Sequence, residues 1–161
     1  KFHELNQVNF SKSIPAMKIH SKLKGLRWIT PSYKNNVVEE INFIKDLKSQ
    51  IQTDKRKKMV ITHYSFISSI LDENFLSPSM AYTSDGSIIP LKNSKYSQKY
   101  KNLVINLIKK NNVDVIYIVY PVHKGSIADY LDKSCLKEKL ILKGVISYEI
   151  KRCKDLIGKN N

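Results

Sequence analysis

Apolar and polar residues alternate along this chain in two rhythms, and each rhythm marks a different kind of element. Val37, Ile41, Ile44, Leu47 or Lys48, and Ile51 recur at helical spacing. They predict an amphipathic helix over about Asn36 to Gln52, with Glu39 and Glu40 in its first turn, where the helix dipole favours acids. Tyr96, Tyr100, Leu103, Val104, Leu107 and Ile108 follow the same spacing and predict a second long helix, closed by Asn111 and Asn112. Met59-Val60-Ile61-Thr62 and Val113 to Tyr120 are continuous apolar runs, the signature of strands buried on both faces. A shorter strand is expected at Leu26 to Thr30, stopped by Pro31.

Weaker signals fill the remainder. Ser65 to Leu71 reads as a short helix with Phe66, Ile67, Ile70 and Leu71 inward, and Ser126 to Lys133 as another. Leu140 to Ile150 reads either as one long strand or as a hairpin about Gly144. Residues 1–24 are only weakly periodic and predict a helical neck, with Ser13 capping a turn that opens at Ile14-Pro15. Between Asp72 and Ser94 the pattern disappears into a stretch containing Pro78, Tyr82, Asp85-Gly86 and Pro90. Irregular segments of this length inside compact domains are often functional.

Strands alternating with helices imply right-handed crossovers. The expectation is therefore an α/β domain over residues 25–161: a small three-layer Rossmann-like sandwich with a mainly parallel sheet. Its length of 161 residues suits one such domain behind the N-terminal neck. The chain begins at Lys1, so the neck is expected to lead from an upstream region of a longer protein. No GxGxxG follows a strand and no GxxxxGK[ST] occurs, so no dinucleotide or nucleotide cofactor is expected.

The formal charge of +14 raises the question of nucleic acid or an anionic surface. Lysine supplies 25 of the 28 basic residues, and the only arginines are Arg27, Arg56 and Arg152. Bidentate phosphate recognition leans on arginine. The accompanying abundance of Ile (20) and Asn (13) points to an AT-rich genome as the source of the lysines. A basic nucleic-acid-binding module is therefore kept only as a second alternative.

Ligands of open α/β sheets bind at the carboxyl ends of the strands. Those ends carry Thr30, then His63, Tyr64 and Ser65, then His123, while the irregular stretch leaving from the same side brings Tyr82 and Asp85. His63, Tyr64, Asp85 and His123 are the candidates for acid–base work in a self-contained small enzyme, and Thr30, Ser65 and Tyr82 are candidate ligand contacts. No GxSxG elbow supports a serine triad. No Cys/His spacing suggests a metal site.

Three stretches carry a resemblance: Leu23-Lys24-Gly25-Leu26-Arg27-Trp28-Ile29-Thr30-Pro31, Lys58-Met59-Val60-Ile61-Thr62-His63-Tyr64, and Ser77-Pro78-Ser79 with Tyr82. Together they resemble the soluble C-terminal domain of bacterial multi-pass membrane proteins similar to the GT-C, mannosyltransferase-like glycosyltransferases. The resemblance implies an accessory domain, not catalytic alone, that binds an acceptor or shapes the active-site cavity. Its implied partners are the membrane-embedded remainder of the same polypeptide and a sugar or polyprenyl-phosphate-linked acceptor. The implied location is the extracytoplasmic, periplasmic face of an inner membrane. The basic charge fits better with the alternative, the cytoplasmic side, although long domains translocate largely regardless of charge.

The two cysteines, Cys135 and Cys153, bear on that location. A hairpin with a three-residue loop at Lys143-Gly144-Val145 would pair Leu142 with Ile146, Leu140 with Tyr148 and Lys139 with Glu149. Extended, that register sets Cys135 opposite Cys153, in position for a disulfide of an oxidising compartment. It also opposes Lys137 to Lys151, which is unfavourable. A single long strand through Gly144 would instead keep the cysteines apart.

Overall fold

A computed structural model describes residues 10–29, 36–80, 82, 88–122, 127 and 129–151 of the chain. The chain divides into two compact units, Lys1–Asp54 and Lys55–Asn161.

The first unit contains a two-stranded antiparallel sheet and one long helix. Strand β1 (Ile14–Pro15) pairs with β2 (Arg27–Trp28), and three short 3-10 turns lie at Phe10–Lys12, Ala16–Lys18 and Ser21–Leu23. Gly25, at φ +89°, supplies the left-handed residue that turns the chain into β2. Helix α1 (Val37–Thr53) starts where Asn36 Oδ1 accepts from the Val38 amide at 2.9 Å. Its buried stripe is Ile41, Ile44, Leu47 and Ile51, as its spacing predicts. Each such aliphatic contributes about 2 kcal/mol relative to an exposed one. Glu40 is buried on the same side and accepts from the Trp28 indole at 2.8 Å, tying β2 to α1.

The second unit is built on a four-stranded sheet of order β3-β4-β6-β5. Strands β3 (Lys58–Ile61) and β4 (Val115–Val119) run parallel, joined through α2 (Phe66–Leu71) and α3 (Ser97–Asn111). Strands β5 (Leu136–Leu142) and β6 (Val145–Ile150) form a hairpin, and β6 pairs antiparallel with β4. The core lies between the sheet and α3. Met59 and Ile61, Ile116 and Ile118, and Tyr148 pack with Val104, Ile105 and Ile108. The alternate residues Val60, Val115, Tyr117 and Val119 are also buried, so β3 and β4 are enclosed on both faces as their apolar runs predict. Among the described residues, no helix is long and apolar enough to cross a membrane.

The expected fold class is wrong. The molecule is a small mixed α/β fold with, among the described residues, a single parallel strand pair, not a mainly parallel Rossmann-like sandwich. An apolar run reports burial on two faces but says nothing of the direction of its neighbours. Direction is set by the connections. Only β3 to β4 has a long helical crossover, whereas the tight Lys143-Gly144 turn can join only antiparallel strands. Of the expected strand at Leu26 to Thr30, the described residues show Arg27–Trp28 as a strand, which pairs with Ile14–Pro15 and not with the four-stranded sheet.

The hairpin forms, but two residues out of the expected register. Leu142 pairs with Val145 across a bulge, Leu140 with Ile146, Glu138 with Tyr148, and Lys137 with Glu149. Gly144 takes φ +89°, which allows the two-residue turn. This register sets opposite charges across from one another at Lys137 and Glu149, and lets the Tyr148 hydroxyl donate to Glu138 at 2.9 Å. Lys151 lies opposite Cys135: its amide donates to the Cys135 carbonyl at 2.8 Å. Cys135 is buried and disulfide-bonded. The only other cysteine, Cys153, lies outside the described residues.

Candidate functional site

The parallel pairing of β3 with β4 sets Ile61 beside Ile118, so the carboxyl ends of both strands reach one edge of the sheet. The segment leaving β3 turns at once: Thr62 Oγ1 accepts from the Tyr64 amide at 3.0 Å, and Ser65 opens α2. Beside this edge lies an open groove of about 750 Å³. Val60 of β3 and Thr62, just past the end of that strand, form its base. Ser65, Phe66, Ser68 and Ser69 of the α2 region form one wall, and Asp72 to Phe75 with Ser77, Ser79 and Met80 form the other.

The second wall is irregular backbone held at defined points. The Val60 amide donates to the Phe75 carbonyl at 3.0 Å, which also covers the outer edge of β3. Asn74 Oδ1 accepts from the Leu76 amide at 3.0 Å. Asp72 (φ 53°) and Leu76 (φ 49°) adopt left-handed conformations that side chains other than glycine rarely take. Lys58, buried on the same strand face as Val60, forms an ion pair with Glu73. Farther along, Ser77 donates to the Tyr82 hydroxyl at 3.1 Å, and Tyr82 is itself buried. Its phenol is pushed upward, chiefly by burial. Burial and the neighbouring Tyr82 do the same to Tyr100, which meets Tyr130 edge-on at 5.1 Å. Tyr130 in turn donates to the Pro90 carbonyl at 2.5 Å. Both ends of the irregular stretch are thereby fastened to the core.

The lining is unusual for so basic a chain. Six serine and threonine hydroxyls line the groove, with Asn74, two phenyl rings and the carboxylates of Asp72 and Glu73. None of the described lining residues is lysine or arginine. Such a surface can exchange hydrogen bonds with a polyhydroxylated ligand and offer Phe66 to an apolar face. It offers no cationic partner for a phosphate.

Among the sequence candidates, Ser65 lines the groove. Tyr82 stands behind the wall and reaches the groove only through Ser77. Tyr64 is buried with its ring 3.7 Å from that of His63, and neither residue lines the groove. His63 is half-buried, with its Nδ1 enclosed and unpartnered among the described residues. Burial pushes its pKa down to about 4, so the imidazole is neutral at physiological pH and a weak base. Thr30, Asp85 and His123 lie outside the described residues. Among those described, no group of three or more His, Cys, Asp or Glu could hold a metal ion.

Sequence reasoning missed most of the groove. Phe66, Ser68 and Ser69 were read only as a helix, and Asp72 to Met80 had no pattern to read. The available signal was the serine clustering at 65, 68, 69, 77 and 79 on both sides of a left-handed Asp-x-Asn turn. Comparison with known proteins finds no family model, no curated protein and no solved structure that matches the chain.

Proposed function

We propose that this chain is the accessory soluble domain of a membrane-bound, glycosyltransferase-like protein, and that its groove holds part of the acceptor sugar. The observation that carries this reading is the lining: six hydroxyls, an amide and aromatic rings, with no lysine or arginine among the described lining residues of a chain with charge +14. Sugars are bound through hydroxyl hydrogen bonds and the stacking of an apolar ring face, and the groove offers both. On a polyprenyl-phosphate-linked acceptor, it suits the sugar and not the phosphate. The disulfide state of Cys135 supports an extracytoplasmic location, because disulfides persist in oxidising compartments. Its partners are then the membrane-embedded remainder of the polypeptide and the acceptor.

The self-contained enzyme is the weaker reading, since His63, held neutral and away from the groove, is poorly suited to proton transfer near pH 7. A nucleic-acid module finds no support in the groove either. The parent reading frame supplies the test. It should encode several apolar stretches of about 20 residues outside this segment, and a parent without them rules the proposal out. Calorimetric titration with neutral oligosaccharides tests the groove itself. Saturable binding that Phe66→Ala weakens is the expected result, and heats unchanged by that substitution count against it.

A further inference from the structure

From Gly86 to Val113 the chain carries six lysines and neither Asp nor Glu. This run is separate from the groove. Within it, Leu91 to Lys99 forms a continuous series of turns entering α3: the Ser94 amide donates to Leu91, Ser97 to Ser94, and Tyr100 to Tyr96. Lys92, Lys95, Tyr96 and Lys99 recur at spacings of three and four along these turns, and all four are exposed. Leu91 is 82% exposed and Tyr96 54%, although both are large and apolar enough to be buried. Lys95 Nζ lies 5.0 Å from the centre of the Tyr96 ring.

We infer that the Leu91–Lys99 turn is a docking surface for an anionic lipid bilayer. The chemistry of the patch selects this occupant. Lysines without an intervening acid complement a negative headgroup layer, each worth about 1 kcal/mol, or roughly a fivefold gain in partition. An aromatic ring with a polar tip settles at the headgroup level. An exposed leucine beside it gains by entering the acyl boundary. A nucleic acid would be matched by arginine forks and several stacking rings. The run from Gly86 to Val113 contains no arginine, and its most exposed apolar residue is aliphatic. The patch thus gives the domain its own hold on a membrane surface, in addition to any covalent connection.

The test is co-sedimentation of the chain with vesicles of phosphatidylcholine alone and of phosphatidylcholine mixed with phosphatidylglycerol, across a range of salt. Binding should require phosphatidylglycerol and fall as salt rises. The triple variant K92Q/K95Q/K99Q should partition about a hundredfold less, while the same neutralisation of the exposed Lys57, Lys137 and Lys139 should change it far less. L91S/Y96S should reduce binding without altering its salt dependence. All these positions are exposed, and an unchanged circular dichroism melt shows that each variant is folded. Equal binding to phosphatidylcholine alone, or equal losses from the two lysine sets, overturns the inference. So does a single-stranded oligonucleotide that binds more tightly than the vesicles and is indifferent to L91S/Y96S, since the patch would then be a nucleic-acid site.

Discussion

Glu73→Gln separates the structural role of the groove wall from its chemistry. Lys58 enters β3 with its side chain only 4% exposed, and Glu73, 33% exposed, is its ionic partner. Removing one member of a buried pair typically costs about 3–5 kcal/mol, because it leaves an uncompensated charge. Glu73 retains a third of its exposure, so water offsets part of the loss, and about 2 kcal/mol is expected. For a chain of this size, that lowers the melting temperature by about 4–8 °C. Lys58→Met should behave differently. It removes the costly buried ammonium and fills the space with an apolar stem, so its stability should stay within about 1 kcal/mol of the parent. The double variant K58M/E73Q should recover most of what E73Q loses. Urea titrations followed by far-ultraviolet circular dichroism measure all three. If E73Q costs less than about 0.5 kcal/mol, or K58M costs as much as E73Q, the desolvation reasoning fails.

Three further outcomes are expected. Because burial holds the His63 pKa near 4, below its ordinary 6.5, the unfolded chain takes up that proton first on acidification. The His63 contribution to stability is therefore complete above pH 6.5 and declines toward pH 4; in a comparison of pH–stability curves, His63→Asn should show a shallower decline than the parent. Asn36→Ala removes the acceptor of the Val38 amide and should cost about 1 kcal/mol in chemical unfolding. Cys135 should resist alkylation in the unfolded chain until a reductant is added, as read by intact mass, and labelling without reductant would contradict its disulfide state.

The sequence was most informative where burial imposes a period. The stripe of Ile41, Ile44, Leu47 and Ile51 and the spacing of Tyr96, Tyr100, Leu103, Val104, Leu107 and Ile108 gave the two long helices to within a residue or two, although in α3 Ile105 is buried while Leu103 and Tyr96 are exposed. The apolar runs marked β3 and β4. Strand direction was not legible, because Val60 and Val119 are buried whichever way a neighbour runs. The hairpin register turned on one turn residue and one bulge: a loop shorter by one moved every pairing by one, and the bulge between Leu140 and Leu142 moved the rest by one more. The groove wall from Asp72 to Met80 was illegible for a different reason. Local devices without periodicity hold it: left-handed Asp72 and Leu76, the Asn74 side chain, and an ion pair to a lysine distant in sequence. The rule that ligands gather at strand carboxyl ends led to the edge beside which the groove lies and to Ser65, which lines it. It favoured His63 and Tyr64, which the structure packs against each other beside the groove.

The proposal at stake is that the groove beside β3 holds part of a sugar. Its most direct test is a titration of the isotopically labelled chain with neutral oligosaccharides, followed residue by residue through amide nuclear magnetic resonance shifts. Saturable shifts concentrated between Val60 and Met80, lost in a folded Phe66→Ala variant, are the predicted result. Unmoved amides in that segment, or shifts that persist unchanged in Phe66→Ala, would contradict it.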